Sequence, residues 1–301
     1  MPAAPDDALG AFNAMRGELI GLAYRMTGSL AQAEDIAQET FLRWSAADRA
    51  QVEVPRAFLL KIAARLSLDY LKSARSRRET YVGPWLPEPV VDDLEPPQQA
   101  ILSRAQDISV AFLLTLQRLS PAERAVFILH DLFETPFGEI ATLLNRSEPA
   151  CRKLASRARA LLGEGSPRHA VDEEEAKRIA RAFFAASRDG DVAALRALLA
   201  KDVVLRTDGG GIRPAALNPV LGAEKVGRFF AGLARKAAGR PPLLHLGRIN
   251  TLPGYVTLEA DGLPQTTALE VQGGRITAIY VMRNPEKLAA LRGRLGGAAP
   301  L

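Results

Sequence analysis

The chain has 301 residues, 48% hydrophobic and 24% charged, with one cysteine, three histidines and a formal net charge of +5. That length suits about two domains of ordinary size. A single cysteine excludes an internal disulfide framework, and so few histidines argue against a zinc site. No stretch approaches the roughly 20 apolar residues of a membrane span, and the N-terminus "MPAAPDDALGAF" is acidic where a secretory signal would be basic, which points to a cytoplasmic protein without a membrane role.

Residues 11–78 read as helices. In "TGSLAQAEDIAQETFLRW", Gly28 ends one helix, Ser29 caps the next and Gln32 completes a capping box. Ala33, Ile36, Ala37 and Phe41 then form an inward stripe, leaving Glu34, Asp35, Gln38 and Glu39 outward. The next helix starts after Pro55, with Phe58, Leu59, Ile62, Leu66 and Tyr70 on its inner face. Lys61, Arg65, Lys72 and Arg75 share a narrow stripe on another face, so this helix has a basic edge.

The segment "YVGPWLPEPVVDD" (81–93) is different in kind. Its prolines favour an extended chain around Trp85, and it carries acid and no base. Residues 97–163 return to helices. Ser120, Pro121 and Glu123 form a second capping box ahead of "ERAVFILHDLF", then "PFGEIATLLN" leads through a tight turn to a helix capped by Ser147. Two short helices around a tight turn, the second basic on its outer face, make a helix-turn-helix. Cys151, Leu154, Ala155, Ala158 and Leu162 form its buried side, and Arg152, Lys153, Arg157 and Arg159 its outer one. Two separate basic patches suggest a polyanion gripped at two places.

Beyond a linker at 164–170 come two helices split at Asp189-Gly190, then strand-like runs with one helix among them. Helices followed by a curved antiparallel sheet indicate an α+β cone with an interior pocket. His245, Asp261 and Tyr255 are its candidate chemical groups, but they form no paired constellation.

Residues 23–78 resemble region 2 of a bacterial extracytoplasmic-function sigma factor, and residues 119–162 resemble its region 4. The C-terminal part resembles the SnoaL-like, or nuclear-transport-factor-like, fold that one group of these factors carries as a fusion. That group's motifs stand here as "WLPEP" (85–89), "DGGG" (208–211) and "NPEKL" (284–288), in order. Two positions depart from the pattern: Ile212 stands where the glycine loop commonly ends in lysine, and Glu286 where aspartate is commoner.

The resemblance implies a multidomain protein: sigma region 2 (1–80), an acidic proline-rich linker (81–100), the region 4 helix-turn-helix (101–163), a second linker (164–170) and a SnoaL-like regulatory domain (171–301). It implies no catalysis and no cofactor. Core RNA polymerase and promoter DNA are the expected partners, with the fused domain in place of a separate anti-sigma factor. Asp35, Gln38 and Glu39 would meet polymerase. Lys61, Arg65, Lys72 and Arg75 would follow DNA at the −10 element, helped by the loop 45–55. Ser147, Glu148, Arg152 and Lys153 would reach base edges at the −35 element, with Arg157 and Arg159 on phosphates. Asp92, Asp93 and Glu95, with Glu88, would imitate nucleic acid along a positive polymerase channel. Trp85, Leu86 and Pro87 would anchor on polymerase or on the chain's own C-terminal domain. Asp208, Gly209, Gly210, Gly211, Asn284, Pro285 and Lys287 would position that domain. A small-molecule ligand for the cone's pocket stays open. Two rival readings are a ligand-sensing helix-turn-helix regulator and a SnoaL-like isomerase or cyclase with a DNA-binding appendage.

Overall fold

A computed structural model describes residues 5–79, 81–94, 108–163, 172–236 and 239–295. These divide into two compact units. The first takes in the described residues of 5–79, 108 and 112–163, and the second those of 81–94, 109–111 and 172–295. The acidic, proline-containing segment therefore groups with the C-terminal fold.

In the first unit, α1 (Pro5–Thr27), α2 (Leu30–Ala46) and α3 (Pro55–Glu79) pack on one another. Gly28, at φ 73°, turns the chain between α1 and α2, and Ser29 Oγ accepts the Gln32 N–H at 3.1 Å as the α2 cap. Leu30, Ala33, Ile36, Ala37, Thr40 and Trp44 are buried, whereas Phe41 is half-buried against the Phe12 ring, centroids 4.9 Å apart. On α3 the buried face is Leu59, Leu60, Ala63, Ala64, Ser67, Leu68 and Leu71. Phe58, Ile62, Leu66 and Tyr70 are only half-buried, so the core line sits about one residue from the expected one. Small side chains at 63, 64 and 67 allow close approach of the neighbouring helices. A large-residue count favours the wrong edge.

α4 (Val110–Leu116) precedes α5 (Pro121–Phe127), whose capping box is complete: Glu123 N donates to Ser120 Oγ and Ser120 N to Glu123 Oε2. A π-helical turn (Ile128–Leu132) leads to α6 (Phe137–Leu144) and α7 (Glu148–Leu162). Asn145 takes the left-handed conformation (φ 51°) that ends α6, and Ser147 Oγ caps α7 through Ala150 N. Cys151, Ala155 and Ala158 are fully buried, with burial pushing the Cys151 thiol up. α5 packs against α1 and α3.

In the second unit, α8 (Glu173–Asp189) and α9 (Val192–Leu198) are separated by Gly190 at φ 69°. Next come β1 (Leu199–Asp208), β2 (Val220–Leu221), α10 (Ala223–Lys236), β3 (Leu243–Ile249), β4 (Leu252–Leu258), β5 (Pro264–Gln272), β6 (Arg275–Met282) and α11 (Ala289–Leu295). The sheet order is β2-β1-β6-β5-β4-β3. All neighbours are antiparallel except β1 and β6, which run parallel. The expectation of a purely antiparallel sheet is corrected at that pair. Residue alternation reports which face a strand buries, and it is silent on the direction of the neighbour. The concave side is filled by Phe183, Phe230, Leu269 and Ile279, with Phe183 edge-on to Phe230 at 5.2 Å.

Candidate functional site

The described surface of the first unit carries two basic stretches, one on each helical half. Lys61, Arg65 and Lys72 are exposed along α3, with Lys72 in a loose pair with Asp69. The Arg75 side chain lies outside the described residues. On α7, Arg152, Lys153, Arg157 and Arg159 are all exposed, opposite the buried face. Arg152 pairs with Glu148 at 3.2 Å and lies over the Phe137 ring at 4.8 Å. Arg159 is tied to Asp131 of the π-turn at 2.7 Å. On α2, Asp35 and Gln38 are exposed, while Glu39 pairs with Arg43 one turn on.

A second constellation lies in the C-terminal unit, where β1 ends. The Asp208 side chain has no solvent exposure, and four donors converge on it. Oδ1 accepts from Tyr81 Oη at 2.6 Å and Gly210 N at 3.0 Å. Oδ2 accepts from the Leu86 backbone N–H and from Lys287 Nζ, both at 2.8 Å. Lys287 Nζ also donates to Leu86 O at 2.6 Å and sits over the rings of Trp85 (4.0 Å) and Tyr81 (4.7 Å). Asn284 closes the circle by donating its Nδ2 to Tyr81 Oη at 2.9 Å. A buried carboxylate is tolerated only when paired and fully hydrogen-bonded, and this one is both. Burial, followed by the Asp208 carboxylate, pushes the Tyr81 phenol far above its ordinary value.

The glycines have steric reasons. A Cβ on Gly210, at φ 66°, would collide with the Asn284 amide, and one on Gly211, at φ 74°, would press on Val82 at 3.2 Å. A Cβ on Gly209 would run into the Arg213 carbonyl oxygen. Backbone this close to its neighbours has room for hydrogen alone. Ile212 is exposed, and Arg213 does not replace the missing lysine at the linker. Instead Arg213 is buried, paired with Asp261 at 2.8 Å and donating to Pro264 O.

The proline segment continues along the cone. Leu86, Val90 and Val91 are buried, and Val91 bridges antiparallel to Ile249 on β3, an edge strand. An extended chain added to a sheet edge satisfies edge hydrogen bonds that would otherwise face water. Asn250, with Thr251, makes the two-residue turn between β3 and β4 at φ 50° and 65°. Its backbone N–H donates to Val90 O, and its Oδ1 accepts from Val90 N at 3.1 Å. Tyr81 and Asn250 escape sequence reasoning; only the Asn at a two-residue hairpin turn leaves a signal. Pro87 is buried and Glu88 and Asp92 are half-buried on this segment, whereas the Asp93 side chain and Glu95 lie outside the described residues.

The three candidate chemical groups of the cone do different things. Tyr255 lies in the aromatic core against Phe184, its phenol pushed up to about 12 by burial. Asp261 sits in the turn between β4 and β5 on Arg213, and His245 is half-buried on β3.

Residues 11–77 match the Sigma-70 region 2 family and residues 109–162 match Sigma-70, region 4. The chain is 38% identical over 296 residues to the ECF RNA polymerase sigma factor SigJ of Mycobacterium tuberculosis, covering 92% of this chain and 91% of the relative. It is 32% identical over 299 residues to the probable ECF RNA polymerase sigma factor SigI of the same species, covering 97% and 98%. The crystal structure of the M. tuberculosis SigJ aligns at a TM-score of 0.75 and 37% identity, covering 93% of this chain and 98% of that one. With two helical sigma regions ahead of an α+β sheet domain, the chain belongs to the extracytoplasmic-function RNA polymerase sigma factors, non-enzymatic proteins of transcription initiation.

Proposed function

We propose that this sigma factor is regulated from within: its C-terminal cone grips the segment joining regions 2 and 4, and release of that grip governs promoter engagement. The observation that carries the reading is the buried Asp208 carboxylate, which gathers Tyr81, Leu86 and Lys287 into one network. The family binds core RNA polymerase and promoter DNA. In this chain Asp35, Gln38 and Glu39 would meet polymerase, and Lys61, Arg65, Lys72 and Arg75 would follow the −10 strand. Ser147, Glu148, Arg152 and Lys153 would read the −35 element, while Arg157 and Arg159 hold phosphates. Asp92, Asp93 and Glu95 can follow a positive polymerase channel only after residues 86–91 leave the cone. Trp85, Leu86, Pro87, Gly209, Gly210, Gly211, Asn284 and Pro285 belong to the grip, which fills the role of a separate anti-sigma factor. Aromatic filling of the cone makes this grip, rather than a ligand in the cone's interior, the better basis for control.

The test is in vitro transcription with core enzyme. Removing one partner of a buried pair costs about 3–5 kcal/mol, so Asp208→Asn and Lys287→Met should each loosen the segment. Both should shift transcript yield in the same direction by about threefold or more, while the cone stays folded by circular dichroism. Unchanged yield from both, with residues 81–91 nonetheless opened to hydrogen exchange, would remove the regulatory reading.

A further inference from the structure

Within the first unit a cleft of ≈ 660 Å³ separates the segment 47–61 from the helix-turn-helix. That volume lies inside the roughly 300–1,000 Å³ of small-molecule sites. Its walls are apolar on both sides: Val54 and Phe58 from the region 2 half, and Leu129, Ile140 and Leu143 from the region 4 half. Three carboxylates (Asp48, Glu53 and Glu139) and one ammonium (Lys61) also line it. Asp48 is already engaged, accepting from Ala50 N and Gln51 Nε2, which leaves Glu53 and Glu139 to face an occupant. Thr135, in the wall, has a buried hydroxyl oxygen with no hydrogen-bond partner among the described residues.

We infer that this cleft is a binding site for an amphipathic organic cation, with its apolar body between Phe58 and Leu143 and its charge at Glu53 and Glu139. The lining carries an excess of negative charge, and a low-dielectric cleft of one sign concentrates the opposite one. The same excess disfavours nucleic acid phosphate. An aromatic wall adds attraction for a quaternary ammonium group. Because the walls come from both sigma regions, an occupant would tie the two halves of the helical unit together and stabilise that arrangement by mass action.

Binding is read on the full chain alone, without polymerase or DNA, so it stands or falls apart from the regulatory grip. Decyltrimethylammonium and decyl sulfate, each below its micelle concentration, are titrated by calorimetry. The cation should bind at least about tenfold more tightly than the anion and should raise the thermal midpoint of the helical unit. Glu53→Gln combined with Glu139→Gln should weaken the cation about fivefold, since each exposed charge contributes modestly. Thr142→Trp, a substitution at an exposed wall position, should weaken it at least about tenfold by filling the cleft, and Ala57→Trp should do the same from the other wall. Both variants are checked for folding by circular dichroism. Equal affinity for cation and anion overturns the inference, and so does undiminished binding to folded Thr142→Trp. Displacement of the cation by a short oligothymidylate would also overturn it, making the cleft a nucleobase site.

Discussion

Tyr81 donates to a buried carboxylate, so its proton is part of what holds the linker on the cone. A free tyrosine ionises near pH 10, whereas the docked phenol holds its proton to much higher pH because of burial and of Asp208. The docked state therefore binds this proton more tightly than the released or unfolded state does. Docking strength from this group is fully present below about pH 10 and is lost as pH rises above it. Tyr81→Phe should cost about 1 kcal/mol at neutral pH, a typical net value for one hydrogen bond, and should show a shallower fall in thermal midpoint between about pH 9.5 and 11.5. Tyr255, pushed up to about 12, adds the same slope to both proteins and cancels in the comparison. Calorimetric scans across that range give the answer: parallel slopes for the two proteins would mean that Tyr81 does not hold its proton at this site.

At the level of elements, α7 offers two arginines in different surroundings. Arg152 near the N-terminal end pairs with Glu148 and leans on Phe137. Arg159 is tethered to Asp131. Arg152→Ala should cost about 1–3 kcal/mol and relax preference at one −35 position, whereas Arg159→Ala should weaken all sequences alike and lower the salt slope by about one. Asp131→Asn, by freeing Arg159, should strengthen binding without changing base preference. Binding profiles over a −35 library at two salt concentrations separate these outcomes, and identical profiles for the two arginine variants would refute the division. Much of this element was readable in advance. The Ser120, Glu123 and Ser147 caps are local, and Cys151, Ala155 and Ala158 follow a helical period. The inner face of α3 was displaced in the reading because packing at Ala63, Ala64 and Ser67 depends on neighbours rather than on residue size. The parallel pairing of β1 with β6 was also hidden, since pairing partners far apart in the chain leave no trace in alternation. The "DGGG" and "NPEKL" stretches could be found as motifs. The resemblance brings them toward Trp85, but their contacts with Tyr81 and Leu86 could not be read, because each joins residues more than 120 positions apart.

For the molecule as a whole, the decisive quantity is the distance its two DNA-binding regions must span. Elements at −10 and −35 lie about 25 base pairs apart, which is about 85 Å at 3.4 Å per pair. A compact body of about 130 residues has a radius of gyration of only about 14 Å. Regions 2 and 4 share one such body here, so the proposed engagement of both elements requires them to separate. Two arginines stand across that junction. Arg124 on α5 is buried; its Nη1 donates to Met26 O near the end of α1 at 2.5 Å and its Nε to Leu116 O at 2.9 Å. Arg56 at the start of α3 pairs with Glu18 at 3.0 Å and reaches Phe133 O. The Glu18 pair is exposed and contributes little. Removing Arg124 would take a buried donor from the Met26 carbonyl, at about 1–3 kcal/mol, so it is the stronger latch; Leu116 O keeps the Leu119 N–H. Arg124→Met keeps the bulk and deletes the donors. With donor and acceptor dyes on α2 and α7, the unaltered chain alone should give one short-distance population, extending toward about 85 Å when core polymerase and promoter are added. Arg124→Met should show a long-distance population before either partner is present and should bind promoter with core enzyme faster. If the variant keeps the short distance alone and the wild-type distance fails to lengthen on promoter, the closed helical unit is the working form and the latch has no role in opening.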